Sequence, residues 1–233
     1  MGVTTGKSAF QPNIVTNGLV LNLDAINPNS YPQSGTIWYD TSGNNNSGTL
    51  TNGTSWTPNG AQTSFSFDGV DDYVDCGNIL FNDINTVTIS IWVNIPSFIN
   101  NNSIISKGAQ GEGSNTTFAA WIISSSGVRN RFFNSTGTGS YVDITSLSPN
   151  TWYNLTWTYN GSVITSYTNS IIRETASLSG SLKTNTNPIR IGRDIYGNNT
   201  AMTCASTQIY NRALTAQEVL QNYNALKSRF GLS

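Results

Sequence analysis

Apolar and polar residues alternate along most of the chain. Leu19, Leu21 and Leu23 share one side of the first alternating run, and Phe65 and Phe67 share one side of a later run. Alternation with a period of two residues is typical of β-strands that bury one face. Further runs cover residues 87–95, 103–107, 117–124, 129–134, 141–144, 152–159, 163–168 and 188–193. Polar turns separate these runs at short intervals, so we predict an all-β fold of two packed antiparallel sheets.

The C-terminal segment has a different period. Apolar residues from Val219 to Phe230 recur at helical spacing. Thr215 and Glu218 form the sequence pattern of a capping box, and Gly231 suits the position that ends a helix. We therefore predict a short helix over residues 216–230 whose apolar side packs on the sandwich.

The chain shows no internal repeat and no linker over its 233 residues. We predict a single sandwich over residues 18–233, with the helix included. Residues 1–17 are polar and contain Pro12, which indicates an extended N-terminal arm. Such an arm is either disordered on its own or fixed against a neighbouring molecule.

Charged residues make up only 10% of the chain, and the net charge is −1. Nucleic acids and anionic membranes attract clustered lysines and arginines, so this composition argues against both as partners. The chain has no histidine, which removes the Ser-His-Asp and Cys-His nucleophiles. Residues 1–17 hold no apolar run of the signal-peptide kind, and no stretch reaches the length of a membrane span. We expect synthesis in the cytoplasm and no membrane insertion.

The two cysteines, Cys76 and Cys204, lie far apart in the sequence. Cysteine is among the residue types most often buried, so two buried, reduced thiols are one interpretation. A disulfide between them is the alternative.

Several carboxylates are concentrated in two polar turns. Asp68, Asp71, Asp72 and Asp75 lie within one short segment, and carboxylate oxygens are ligands that calcium prefers. Asp68, Asp71 and Asp72 are therefore a candidate metal site, with solvated turn acids as the alternative. Asp40 begins a second loop, DTSGNNNSG, which either binds calcium or closes on itself through Asx hydrogen bonds.

Three motifs resemble those of one known family. FSFDGVDDY (residues 65–73) is similar to the signature F-x-F-D-G-x-x-D-Y, TISIWV (88–93) to a strand, and QIYNRALTAQEVL (208–220) to the closing strand, turn and helix. On these motifs the chain resembles the laminin G-type domains of the concanavalin A-like lectin/glucanase superfamily. The resemblance implies a jelly-roll β-sandwich of two antiparallel sheets with a short C-terminal helix.

The resemblance also implies a ligand-binding edge. Calcium lies at one edge of the sandwich in laminin G relatives, which corresponds here to the loop around Glu112 and Asn115 where it meets Asp194. Many relatives carry an acidic pair before the closing strand, where this chain has Ser206 and Thr207. The resemblance therefore carries no aspartate-dependent calcium site to those two positions.

Glycan binding requires aromatic rings with amides, hydroxyls or cations nearby. Trp121, Tyr141 and Tyr196 are the candidate rings, with Arg129 or Arg131 beside them. We predict that these rings and Arg129 bind the ligand together with the edge residues. Trp92, in the TISIWV motif, is either a second platform or a core residue.

The superfamily includes glycoside hydrolases, which use two carboxylates across the scissile bond. In the hydrolases of this superfamily, the carboxylates lie on one strand with the pattern E-x-D-x-x-E. The three glutamates of this chain, Glu112, Glu174 and Glu218, lie in no such pattern: two are in loop or turn sequence and the third is in the helix cap. We therefore predict a protein that is not an enzyme.

The predicted function is that of a virion surface protein, either a capsid decoration or a fibre-associated protein. The polar arm and the Asn-, Thr- and Gly-rich surface resemble lectin-like proteins of tailed phages. In this interpretation the protein is made in the host cytoplasm and docks to a major capsid or tail protein through its N-terminal arm. It is present as a homo-oligomer or in many copies and binds host-surface or environmental glycans, with calcium as a candidate cofactor. The alternatives are a purely structural cement protein and a secreted bacterial carbohydrate-binding module.

Overall fold

The computed structural model describes residues 13–79, 85–111, 115–124 and 126–233. The helix α1 covers Ala216–Leu226 and continues into a 3₁₀ turn, Lys227–Phe230. The strands in the described ranges are β1 (Leu19–Asp24), β2 (Ile37–Trp38), β3 (Gly48–Thr51), β4 (Ser55–Thr57), β5 (Ser64–Asp68), β6 (Tyr73–Asp75), β7 (Val87–Asn94), β8 (Ser103–Lys107), β9 (Phe118–Ser124), β10 (Gly127–Phe133), β11 (Gly139–Ile144), β12 (Trp152–Tyr159), β13 (Val163–Thr168), β14 (Ile171–Ser177), β15 (Ile189–Ile191) and β16 (Ala201–Tyr210).

The strands form two antiparallel sheets that pack face to face. The first sheet has the order β14-β13-β12-β7-β16-β5-β4, with β1 also paired to the long strand β16. The second sheet has the order β11-β10-β9-β8-β15-β6-β3-β2. Several neighbours in these orders, such as β7 with β16 and β15 with β6, are far apart in sequence, as in a jelly roll. The predicted all-β sandwich with a C-terminal helix is confirmed.

The core lies between the two sheets and is filled by the inward side of each alternating run. Phe65 and Phe67 of β5 are 0% and 4% exposed. Trp38 packs on Phe65 with its ring centroid 4.5 Å away. The alternation in the sequence therefore marks the buried side of these strands correctly.

Helix α1 covers the outer side of the first sheet. Thr215 and Glu218 form the predicted capping box. Trp92 is only 1% exposed and stacks on Tyr223 and Phe230, with centroids 5.7 and 4.2 Å away. Trp92 is therefore a packing residue, and we call this outer side of the first sheet the covered face.

Polar residues of the covered face are hydrogen-bonded to one another. Ser90 Oγ lies 2.9 Å from Thr156 Oγ1 and accepts from Asn154 Nδ2 at 3.0 Å. The N-terminal segment also lies here, because Val15 N donates to Asn222 Oδ1 of α1 at 2.8 Å. Residues 13–17, which the sequence places in the arm, thus pack on the domain itself, and residues 1–12 lie outside the described ranges.

One side of the sandwich is closed by side chains that join the two sheets. Ser166 Oγ donates to the carbonyl oxygen of Asp143, and Asp143 N donates to Glu174 Oε2. Glu174 lies on β14, so its prediction as a loop or turn residue is wrong. The bridges occupy backbone groups of an edge strand that would otherwise be open to pairing.

Both cysteines are unpaired and buried. Burial raises the pKa of the Cys204 thiol to about 12 and raises that of Cys76 as well. Such thiols stay protonated and unreactive at neutral pH, in agreement with two reduced cysteines rather than a disulfide. Among the described residues, no helix is both long and apolar enough to cross a membrane.

Candidate glycan-binding site

The outer side of the second sheet carries aromatic and charged side chains. In β10, Val128 and Phe132 point into the core, and Arg129 and Arg131, which alternate with the inward residues, point outward. We call this surface the arginine face. Its residues are Tyr73, Asp75, Trp121, Arg129, Arg131, Tyr141, Asp143, Arg190 and Arg193.

The first cluster of the arginine face lies on β9, β10 and β11. Arg129 pairs across the sheet with Trp121 on one side and Asp143 on the other. Its Nε and Nη2 donate to the two carboxylate oxygens of Asp143, both at 2.8 Å, and this bond raises the pKa of Arg129. The guanidinium carbon also lies 3.7 Å from the ring centroid of Tyr141. Arg129 is thus fixed in place and holds the ring of Tyr141, which is 45% exposed.

Arg131 belongs to the same cluster but has no carboxylate partner among the described residues. Its guanidinium lies over the ring of Phe133 at 4.7 Å. A Cβ atom on Gly139 would come within 2.6 Å of Arg131 Nε, so the glycine makes room for the arginine. The buried Nε of Arg131 has no hydrogen-bond partner in the part of the chain that the structure describes.

The second cluster lies on β6, β15 and the loop that follows β15. Arg190 Nε donates to Asp75 Oδ2 at 3.1 Å. The guanidinium carbons of Arg190 and Arg193 each lie 5.0 Å from the centroid of the Tyr73 ring. A Cβ atom on Gly197 would lie 3.1 Å from Arg193 Nη2, so Arg193 is held between this loop and Tyr73.

A polar cleft of about 560 Å³ adjoins the second cluster. Its walls carry amides, hydroxyls, one carboxylate and one aromatic ring. Asn78 lies in one wall, and its Oδ1 accepts from Lys107 Nζ at 2.6 Å. Burial lowers the pKa of Lys107 to about 8. The other wall residues include Asn45, Asn46, Ser47, Thr49, Thr51, Tyr73 and Asp75.

The structure brings three of the predicted ligand-binding residues together, namely Trp121, Arg129 and Tyr141. Trp121 is only 8% exposed, so mainly Tyr141 offers its ring to solvent. Tyr196 is 64% exposed on the loop after β15. This loop contacts β8 beside Trp121, because Ser103 N donates to the carbonyl oxygen of Asn198 at 3.1 Å.

The predicted ligand-binding edge is formed by two loops. Ile195 N donates to the carbonyl oxygen of Gly108, so the loop after β8 does meet the loop after β15. The carboxylate of Asp194 is buried and accepts from Tyr196 N, Asn198 N and Asn198 Nδ2 at 2.9, 3.1 and 2.7 Å. These bonds fix the conformation of the loop after β15, which contains Asp194. The backbone oxygen of Asn115 accepts from Asn187 Nδ2, and Glu112 lies outside the described residues.

The predicted metal site, Asp68, Asp71 and Asp72, is compact. One oxygen from each carboxylate lies within 4.8 Å of the others, and calcium ligands at about 2.3–2.6 Å from one ion fit such a spacing. Asp72 also accepts from Gly53 N and Asp68 N at 2.6 and 3.0 Å, and Asp68 accepts from Val70 N at 2.7 Å. Two of the carboxylates therefore close the turn by themselves, and calcium binding here stays a prediction.

The Asp40 loop closes on itself. Asp40 Oδ1 accepts from Asn22 N and Ser42 N at 2.9 and 2.8 Å, and its Oδ2 accepts from Asn46 N at 3.0 Å. These are the bonds of a self-contained Asx loop, as one of the two interpretations of the sequence had it.

Residues 67–220 match the family model described as the concanavalin A-like lectin/glucanases superfamily, in its laminin G form. The match covers more than half of the chain, so the chain belongs to this superfamily. The resemblance inferred from the three sequence motifs is confirmed. A comparison with curated protein sequences finds no match.

Several solved structures share the fold. The receptor-binding domain of botulinum neurotoxin C/D mosaic serotype is 17% identical with a TM-score of 0.66, over 90% of this chain and 51% of that chain. The binding domain of Paraclostridial Mosquitocidal Protein 1 is 19% identical with a TM-score of 0.67, over 90% and 52%. The binding domain of botulinum neurotoxin DC, in complex with SialylT, is 17% identical with a TM-score of 0.67, over 91% and 52%. This chain spans about half the length of these structures, and identities this low show the fold alone.

The second cluster and the polar cleft are parts of the site that sequence reasoning missed. The run IRIGR (residues 189–193) did contain a signal, because its two arginines alternate with isoleucines that face the core. Their neighbour Tyr73 is far away in sequence and reaches them only through the pairing of β15 with β6.

Proposed function

We propose that this chain is a non-enzymatic glycan-binding domain whose ligand lies on the arginine face. The observation that carries the proposal is the first cluster, in which Arg129 fixes the exposed ring of Tyr141 above the sheet. An aromatic ring held in place can stack on the apolar side of a sugar, and the charged groups beside it can bond to hydroxyls. The lectin-like fold supports this use of the surface.

The placement of the carboxylates supports a binding role rather than hydrolysis. Asp75 and Asp143 are the acids of the arginine face, and each is ion-paired with an arginine. They lie on β6 and β11, five strand spacings apart, which corresponds to about 24 Å. Glycoside hydrolysis uses carboxyl groups about 5–9.5 Å apart. Glu174 of β14 lies closer to Asp143, since its Oε2 accepts from Asp143 N, but Arg129 binds both carboxylate oxygens of Asp143 and holds that acid in an ion pair.

We further propose that the domain works on a virion surface, as a capsid decoration or fibre-associated protein. The support is the resemblance to lectin-like proteins of tailed phages, together with one feature of the fold. The described N-terminus is anchored on the covered face, where Gln221 Nε2 donates to the carbonyl oxygen of Asn13. A capsid or tail partner attached through the N-terminal arm and a glycan on the arginine face would therefore occupy opposite sides of the sandwich.

A glycan array with the full chain tests the binding function, followed by calorimetry with the best ligand. We expect Tyr141→Ala to weaken binding about tenfold, the size of one lost stacking contact. Tyr39→Ala is a matched control, because Tyr39 is 46% exposed but belongs to neither cluster. Binding that is unchanged by Tyr141→Ala, or an array without any bound glycan, would contradict the proposal.

The virion assignment needs a separate measurement. Purified particles from the natural source should contain the protein, and antibody-labelled particles should show it on the capsid or tail. A protein that is found only free of particles would contradict the virion role and leave the glycan-binding role standing.

A further inference from the structure

We propose that the arginine face binds a linear acidic polysaccharide, whose carboxylate or sulfate groups lie against two separate arginine clusters. This inference rests on the proposed function, because it specifies the chemistry and the length of the glycan on the same surface. It concerns two residues, Arg131 and Arg193, that form no ion pair within the described part of the chain.

The first argument is the charge of the surface. Four of the seven arginines in the sequence lie on the arginine face. Asp143 and Asp75 neutralise Arg129 and Arg190. Arg131 and Arg193 have no carboxylate partner among the described residues. Two further acids lie beside the clusters, Glu174 next to Asp143 and Asp194 next to Arg193, but neither forms an ion pair with Arg131 or Arg193. Arg131 and Arg193 are therefore the cations of this surface that no ion pair within the described residues neutralises.

The second argument is the state of the two unpaired guanidinium groups. Arg131 lies on the Phe133 ring and Arg193 lies on the Tyr73 ring, and both Nε atoms are buried without an acceptor. The Nη atoms of both arginines are not among the buried unpaired groups and make no hydrogen bond within the described part of the chain. Each side chain is therefore held flat while its terminal donors stay open to a ligand.

This geometry suits anionic sugars. A guanidinium group can give two parallel N–H bonds to a carboxylate or a sulfate, which makes such bonds strong and directional. Because packing against an aromatic ring already restricts both side chains, less conformational entropy is lost when the ligand binds. Neutral sugars would leave these donors without a charged acceptor.

The third argument is the distance between the clusters. Arg131 lies on β10 and Arg193 follows β15, and these two strands are separated by β9 and β8. Three strand spacings correspond to about 14 Å. A monosaccharide cannot reach across this distance, whereas an extended oligosaccharide can. The loop that carries the exposed Tyr196 contacts β8, which lies between the clusters.

Length and charge of the ligand are the variables of the test. Calorimetry at low and at physiological salt would use di-, tetra- and hexasaccharides of polygalacturonate for carboxylates and of dextran sulfate for sulfates. Neutral dextran oligosaccharides and single-stranded DNA serve as comparison ligands. We expect affinity for one of the acidic series to rise at least about tenfold from the disaccharide to the hexasaccharide. The affinity should also fall with salt.

Variants then locate the binding surface. Arg131→Gln and Arg193→Gln should each weaken hexasaccharide binding about tenfold, and the double variant about a hundredfold because the sites are distant. Lys227→Gln, which removes a cation from the covered face, should leave affinity within about twofold. Thermal unfolding of each variant distinguishes lost binding from lost folding.

Three results would overturn the inference. Equal affinity for neutral and acidic glycans, or for di- and hexasaccharides, would contradict the inference of an acidic, extended ligand. The proposed glycan-binding function would still stand. Single-stranded DNA is the second test. If it binds more tightly than any glycan and depends in the same way on Arg131 and Arg193, the ligand of this surface is a nucleic acid and not a glycan. The absence of binding to any glycan would remove the proposed function itself.

Discussion

The two outer sides of the sandwich use similar residue types for opposite purposes. On the covered face, Trp92 is 1% exposed and lies between the rings of Tyr223 and Phe230. On the arginine face, Tyr141 is 45% exposed and Arg129 packs on one side of its ring. Both surfaces therefore carry aromatic residues, but within the described part of the chain a second layer of structure covers only one of them.

Polar groups show the same contrast. Ser90, Asn154 and Thr156 on the covered face bond to one another. On the arginine face, the Nε atoms of Arg131 and Arg193 have no acceptor within the described residues. Arg229 Nη2 of the 3₁₀ turn is also buried and unpaired there, so the exposed ring of Tyr141 and the terminal donors of the two arginines, rather than buried unpaired atoms, distinguish the arginine face.

Of the variants that distinguish the two faces, Trp92→Ala should cause the largest loss of stability. This change removes a buried indole that packs against α1 and the 3₁₀ turn. We expect a loss of about 3–5 kcal/mol in the free energy of unfolding, measured by urea denaturation. Under conditions where the variant is folded, its glycan affinity should be unchanged. A loss below about 1 kcal/mol would show that the helix contributes little to the covered face.

A smaller effect should come from Glu218→Gln at the start of α1. Arg212 and the backbone N–H of Thr215 hold the pKa of Glu218 at about 2, below the usual value of 4.5 for a glutamate. The unfolded state therefore binds the proton more readily, so this stabilisation is present above about pH 4.5 and is lost as the pH falls toward 2. We expect the variant to be less stable by about 1 kcal/mol at pH 7.

The pH profile of that variant provides the control. Denaturation of both proteins across pH 2–7 should show the difference shrinking in the acid range. A difference that stays constant with pH would mean that the ionised carboxylate does not stabilise the helix end.

On the arginine face, Arg129→Gln should be mildly destabilising. The change breaks two hydrogen bonds of 2.8 Å to Asp143 in a pair that is partly exposed. We expect a loss of about 0.5–1 kcal/mol in the free energy of unfolding. A double-mutant cycle with Asp143→Asn measures the coupling, and a coupling of zero would show that the pair does not fix the cluster.

The smallest change in stability should come from Arg131→Gln. This arginine forms no ion pair within the described residues, so we expect the free energy of unfolding to change by less than about 0.5 kcal/mol. Its effect on ligand affinity should exceed its effect on stability. If denaturation instead shows a loss as large as that of Arg129→Gln, the side chain has a structural role.

Much of the fold could be predicted from the sequence, because most strands bury one side and therefore alternate. Strand β5, strand β7 and the capped helix follow from such local patterns. Strand β14 does not, since Ile171–Ser177 lies at a sheet edge with nearly all its residues exposed, and no alternation is imposed on it. Local sequence patterns therefore predict the strands and the helix that bury one side, but they do not predict an exposed edge strand.

The site was predictable only in part. Arg129 and Tyr141 lie in consecutive strands of one hairpin, so a search for aromatic and basic residues finds them together. Tyr73 and Arg193 become neighbours only because β6 pairs with β15, and that pairing joins parts of the chain that are far apart in sequence. The free donors of Arg131 depend in addition on Gly139, whose missing side chain makes room for the guanidinium.

A structure of the protein with a bound oligosaccharide tests the central claim most directly. The account predicts a sugar ring against Tyr141 and acidic groups within hydrogen-bond distance of Arg131 or Arg193, with the covered face unoccupied. A sugar bound at the cleft between β1 and α1, which is lined by Asn22 and Gln208, would contradict the account. In that case the surface that we describe as structural would be the functional one.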